Sequence, residues 1–177
     1  GVKMDVAGVT VQAKKVSDTE DAFGVSGDMS GVAFRLEQKQ GTGANTDVTF
    51  GNVTTDVNGI SLGYAWIDAD ADGLIAENDS AIFAVENGTS AGAKQGDSNS
   101  QFTASTSMGG NKVTVKVGSI GHSLVGTNDD DYTQVGVTRP LAAGSTLAIT
   151  YTDSDDRAAG DNTADTQTFE AELSVKF

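Results

Sequence analysis

The residues whose types and spacing could do chemistry lie in one run, Asp68-Ala69-Asp70-Ala71-Asp72-Gly73-Leu74, continued by Ile75, Glu77, Asn78 and Asp79. Carboxylates at alternate positions can converge on one hard cation, and Gly73 permits the sharp bend between them. The backbone carbonyl of Leu74 and the carboxylate of Asp79 would complete an oxygen shell suited to Ca2+. The reading is a structural Ca2+ held by Asp68, Asp70, Asp72, Leu74 and Asp79. The alternative is a solvated acidic loop like those near Asp130 and Asp155, which lack both this spacing and the glycine.

Other chemistry is scarce. There is one histidine, His122, and no cysteine. A Ser–His–Asp, Cys–His or zinc centre therefore has almost nothing to be built from, and a disulfide framework is impossible. The glycine-rich pieces lack phosphate-loop spacing. Glu170 and Glu172 could do acid–base work, but on one strand face they are more simply wall charges. No enzyme is expected. A net charge of −14 argues against nucleic acid and anionic headgroups as partners. No apolar run approaches the roughly 20 residues of a transmembrane helix. The sequence starts directly in strand-like residues at Val2, without a secretory signal, so an exported protein would be met here as a mature or trimmed chain.

The elements that must position these residues are strands. The calcium-type loop resembles EF-hand and dockerin loops, but Trp66-Ile67 before it reads as strand rather than helix, and Asp79 is shorter than the usual glutamate. Alternating apolar and polar residues recur from Val2 to the C-terminus, the period of a half-buried strand. About eleven strands follow, with a phase slip between Phe50 and Val53 that suggests a bulge near Gly51. Short turns fall near Gly8, Gly31, Gly59, Gly110 and Gly144, and Asn58-Gly59 is the strongest hairpin signal. Looser segments, Gln38 to Asn45, Asp68 to Ser100, Gly118 to Asp131 and Asp153 to Gln167, join the other strand ends. The segment Ala81 to Val85 is rejected as a strand because it would reverse every later turn.

The closing stretch carries the resemblance. Phe169, Ala171, Leu173, Val175 and Phe177 fall on one face, and Glu170, Glu172, Ser174 and Lys176 on the other. A soluble sandwich strand can alternate this way too. With a terminal Phe and a charged opposite face, the stretch resembles the last strand of Gram-negative outer-membrane porins. That resemblance implies an all-β, antiparallel up-and-down transmembrane barrel with short periplasmic turns and long acidic extracellular loops. It also implies Phe177 as the signal read by the barrel-assembly machinery, and a homotrimer embedded in outer-membrane lipid. Single-chain barrels of this kind have even strand counts. Eleven strands beginning on the outside therefore read as the C-terminal portion of a barrel of sixteen, with 1–177 a single domain and 68–100 a long extracellular loop.

On this reading the channel is passive and water-filled, for small hydrophilic solutes or ions. Its wall includes Lys3, Asp5, Arg35, Glu37, Lys39, Lys116, Glu170, Glu172 and Lys176, a mixed set that gives a transverse field. The excess of loop carboxylates favours cations. Aromatics are few for interfacial girdles, with Tyr64, Trp66, Tyr132, Tyr151, Phe169 and Phe177 as the candidates. The competing reading is a secreted, calcium-stabilised β-rich adhesin, surface-layer or fibre protein. One expectation tests the metal loop alone. Without a cation its carboxylates repel, at a cost on the order of 1 kcal/mol per close pair at surface dielectric. Asp70→Asn with Asp72→Asn should open the 68–100 region to proteolysis while leaving the strands intact, and EDTA should mimic it. Equal cleavage with EDTA and with Ca2+ would reduce the site to an acidic loop.

Overall fold

The computed structural model describes residues 1–15, 20–41, 47–69, 98–121, 130–141, 144–155 and 165–175. They form one antiparallel sheet of eleven strands in sequence order, with no helix among them. The strands are β1 (Val2–Val6), β2 (Val9–Lys15), β3 (Glu20–Met29), β4 (Val32–Gly41), β5 (Val48–Val57), β6 (Ile60–Ala69), β7 (Ser98–Met108), β8 (Asn111–Gly121), β9 (Asp130–Pro140), β10 (Ser145–Asp155) and β11 (Asp165–Val175). Each strand pairs with its neighbours in sequence, so the path is up and down; β1 and β11 each pair on one side only, leaving the sheet open.

Among the described residues the tight turns lie at one end of the sheet, and their residues adopt positive φ. Ala7-Gly8, Ser30-Gly31, Asn58-Gly59 and Gly109-Gly110 each have both residues there, between 51° and 84°. This is the two-residue geometry whose twist matches that of paired strands. The β9–β10 connection is longer, with Gly144 at φ 76° and the Leu141 amide donating to the Ser145 carbonyl at 2.7 Å.

Successive hairpins are stepped, always in the same direction. Val9 pairs with Gly27 rather than Met29, Val32 with Thr55 rather than Val57, and Ile60 with Thr106 rather than Met108. The step brings Thr55 Oγ1 to donate to the Gly31 carbonyl and Thr106 Oγ1 to the Gly59 carbonyl, both at 3.0 Å. Each threonine thus ties its strand to the turn of the preceding hairpin. Uniform stagger of this kind accompanies strand tilt in sheets that curl toward closure.

Side chains on directly paired residues share a face, so the register sorts the whole sheet. One face carries Met4, Val11, Val25, Phe34, Val53, Tyr64, Phe102, Val115, Val135, Ile149 and Phe169 in adjacent strands. Every large exposed hydrophobic in the strands lies on this apolar face, from Val2 at 72% to Phe169 at 69% exposure. The buried hydrophobics Ala22, Val48, Phe50, Ile67 and Tyr132 all lie on the opposite face. Among the described residues the core is small: Val48, Phe50 and Ile67, with Ala65 packed against them.

Two expectations are corrected here. There is no bulge near Gly51: β5 keeps unbroken register with β4 and β6. The slip in hydrophobic phase arises because Val48 and Phe50 join Ile67 on the polar face, whereas Val53 and Val57 return to the apolar one. Gly51 is needed for another reason, because it pairs directly with Trp66 and a Cβ there would lie 2.1 Å from the indole ring. The looser segments are also shorter than expected, since Gln38, Lys39 and Gln40 complete β4, β6 runs past Asp68, β7 begins at Ser98 and β8 extends to Gly121. Ladder pairing extends these strands although their composition turns polar. Ala81 to Val85 lies outside the described residues.

Ala7 holds φ 51° without the freedom of glycine, a conformation costing an L-residue about 1–2 kcal/mol. Ala7→Gly should therefore raise the urea midpoint. Gly59→Ala, at φ 80°, should lower it by a comparable amount.

Candidate functional site

Alternation along each strand places the polar residues together on the face opposite the apolar one. Lys3 and Asp5 on β1, Arg35, Glu37 and Lys39 on β4, Lys116 on β8, and Glu170 and Glu172 on β11 all fall on this polar face. Eight of the nine residues that the sequence groups on one side thus share one face of the sheet. Lys176 and Phe177 lie outside the described residues. So do Asp70, Asp72, Leu74 and Asp79. Asp68, the first residue of the calcium-type loop, is described: it sits within β6, exposed, paired with Thr49 and Ser98 and in line with the apolar face.

The wall is not uniform. Lys3 Nζ and Asp5 approach to 3.9 Å in solvent, and the Thr10 hydroxyl donates to Asp5. Exposed pairs of this kind contribute at most about 1 kcal/mol. Glu37 and Lys39 differ, being 2% and 6% exposed beside the Val48–Phe50–Ile67 cluster. Buried charges persist only when they are engaged, and both have partners. They pair directly with Phe50 and Val48 toward the long-connection end of β4. From β6 to β10, the polar face carries Lys112 and Lys116, and none of the residues of 61–67, 101–107, 112–118, 132–138 and 146–154 on that face is a carboxylate.

Between β5 and β7 the face forms a groove of about 350 Å³. Its floor is the β6 row Ser61, Gly63 and Ala65, whose small side chains lie lower than their neighbours. Asn52 and Thr54 rise on one side and Gln101, Thr103 and Ser105 on the other, with Arg35 beyond Asn52. Sequence reasoning singled out Arg35 but missed the rest. A signal was there in the run of Ser, Gly and Ala on β6 opposite Thr, Asn and Gln on its neighbours, but it depends on knowing the register.

Tyr132 fixes one wall of the groove. The sequence suggests it as an interfacial aromatic, yet its partner is Gly118 on the polar face, and it is buried there. A Cβ at Gly118 would lie 2.3 Å from the phenol ring, so the missing side chain opposite is what admits the ring. Its hydroxyl donates to Gln101 Oε1 at 2.9 Å, and Gln101 Nε2 donates to Thr103 Oγ1 at 3.2 Å. A buried aromatic with a polar tip needs a partner for its hydroxyl, and Gln101 supplies it on this face. The other described girdle candidates, Tyr64, Trp66, Tyr151 and Phe169, do lie on the apolar face, with Tyr64 and Trp66 stacked at 5.7 Å. They border a polar rim that includes Thr133, Asp153 and Gln167 at the long-connection end.

The glycine–aromatic pairing gives a sharp contrast. Gly118→Ala should displace Tyr132, break its bond to Gln101 and destabilise the fold by about 1–3 kcal/mol, as overpacking does. At Gly136 on the same face the nearest side-chain atom would be 3.8 Å away, so Gly136→Ala should leave the denaturant midpoint nearly unchanged. No family model matches the chain, and comparisons with curated proteins and with solved structures give no match.

Proposed function

We propose that this chain forms part of the wall of a transmembrane β-barrel, an outer-membrane porin that passes small hydrophilic solutes. The observation that carries the reading is the inversion of the sheet. Among the described strand residues the large exposed hydrophobics lie on one face, and the few buried hydrophobics lie among polar residues on the other. A secreted adhesin or fibre protein in water would leave this broad apolar face exposed, far beyond the few hundred Å² usual for soluble monomers. Lipid supplies an apolar solvent, and the polar face then borders water.

The dimensions agree with this. From β3 to β11 the strands are 10 or 11 residues long, matching the roughly 9–11 residues of a tilted membrane strand. Tight turns occupy one end and the longer connections the other, and stepped hairpins accompany tilt. Open edges at β1 and β11 are untenable in hydrocarbon. The reading therefore includes closure by further strands, to sixteen in all, with the barrel-assembly machinery as an assembly partner and a trimer as the final state. Ca2+ in the loop beginning at Asp68 belongs to the same proposal, as a loop-ordering ion.

The pore should prefer cations, because loop carboxylates outnumber bases and concentrate them at the mouth. Two measurements test the reading. Unheated protein in SDS should migrate anomalously and shift on boiling. In planar bilayers it should give stepwise conductance with a cation-selective reversal potential in a KCl gradient. Solubility without detergent, together with no conductance, would defeat the barrel; anion selectivity would defeat the charge argument alone.

A further inference from the structure

The groove across β5–β7 is better equipped than a plain pore wall requires. Its floor of Ser61, Gly63 and Ala65 makes it concave, and its volume is near the lower end of the about 300–1,000 Å³ usual for small-molecule sites. The polar groups around it are available. Among the described residues Asn52, Thr54, Ser61 and Ser105 make no side-chain hydrogen bond, and Arg35 has neither a hydrogen bond nor an ion pair. The opposite wall is held in place, because Tyr132 fixes the Gln101 amide and Gln101 in turn donates to Thr103. Thr103 Oγ1 accepts that bond and so keeps its own hydrogen to donate into the groove.

We infer that this groove is a binding subsite for a small polyhydroxylated carboxylate, a sugar acid of monosaccharide size. Arg35 offers a planar fork to a carboxylate at one end, and no residue lining the groove is acidic. Hydroxyls and amides on both walls can donate to and accept from a chain of solute hydroxyls. A single guanidinium suits a monoanion; Tyr64 also lines the groove but belongs by register to the apolar face, so the polar groups on the two walls are what would hold the solute. The groove's use in transport rests on the pore reading, but binding itself does not. The subsite would favour this one class of anion within a wall whose mouth attracts cations.

The test is saturation-transfer NMR and calorimetry on the full chain in detergent, with gluconate as probe. Glucose supplies hydroxyls without charge, and acetate supplies charge without hydroxyls. Gluconate should bind more tightly than either. Arg35→Gln should weaken gluconate about tenfold or more, the usual loss for a charged hydrogen bond, and leave glucose unchanged. Arg139→Gln, which removes the same charge from the apolar face, should have no effect. Gly63→Val fills the floor at a position where a Cβ meets nothing closer than 3.5 Å, so it should abolish binding while thermal melting is retained. No gluconate binding, equal binding of acetate, equal losses in both arginine variants, or full binding in Gly63→Val would each overturn the subsite. Conductance without gluconate binding would remove the subsite and leave the pore standing. Binding without conductance would do the reverse.

Discussion

Register is the constraint on which everything else in this sheet depends. Side chains alternate with a period of two, so a slip of one residue between any two strands would carry every apolar side chain beyond the slip to the other face. The pairing runs without interruption from β1 to β11, and the apolar side chains therefore form one continuous surface. A water-soluble sheet of this size would turn that surface inward against a second layer. Here, among the described residues, it faces outward, and the small cluster of Val48, Phe50 and Ile67 lies on the other side. Backbone hydrogen bonding and turn geometry hold the sheet's local order, while burial in water contributes little.

The turns set that register. Four two-residue hairpins with positive φ at both positions leave no freedom in how their strands pair. Between hairpins the regular step is reinforced by Thr55 and Thr106 reaching the glycine carbonyls of the preceding turns. The corresponding position on β3 is Gly27, whose Cβ, if present, would lie 3.0 Å from the Gly8 carbonyl. The same contact thus recurs as a hydrogen bond where a hydroxyl is present and as close backbone approach where it is not.

Glycines opposite aromatics shape both faces. Gly51 lets Trp66 lie flat across the apolar face, and Gly118 lets Tyr132 lie across the polar one. The two pairs serve different ends. Trp66 stacks with Tyr64 on the apolar face. Tyr132 has an acceptor within reach and becomes the post from which the groove wall is hung. Small residues on β6 then turn a flat polar surface into a concave one.

Strand existence, the hairpin positions and the two-faced pattern were legible in the sequence, because the period of two and the glycine turn pairs are local signals. So was the side taken by Lys3, Asp5, Arg35, Glu37, Lys39, Lys116, Glu170 and Glu172, since parity along a strand decides it. Tertiary structure decided what crosses between strands. It placed Tyr132 on the polar face against Gly118, sent Val48 and Phe50 to join Ile67, and extended β4 and β8 through polar residues. It also set Gly63 and Ala65 beneath Asn52, Gln101 and Thr103. Parity along one strand gives the side of each of these residues, but not its neighbours: which residue of the next strand stands opposite is fixed by the stagger between hairpins.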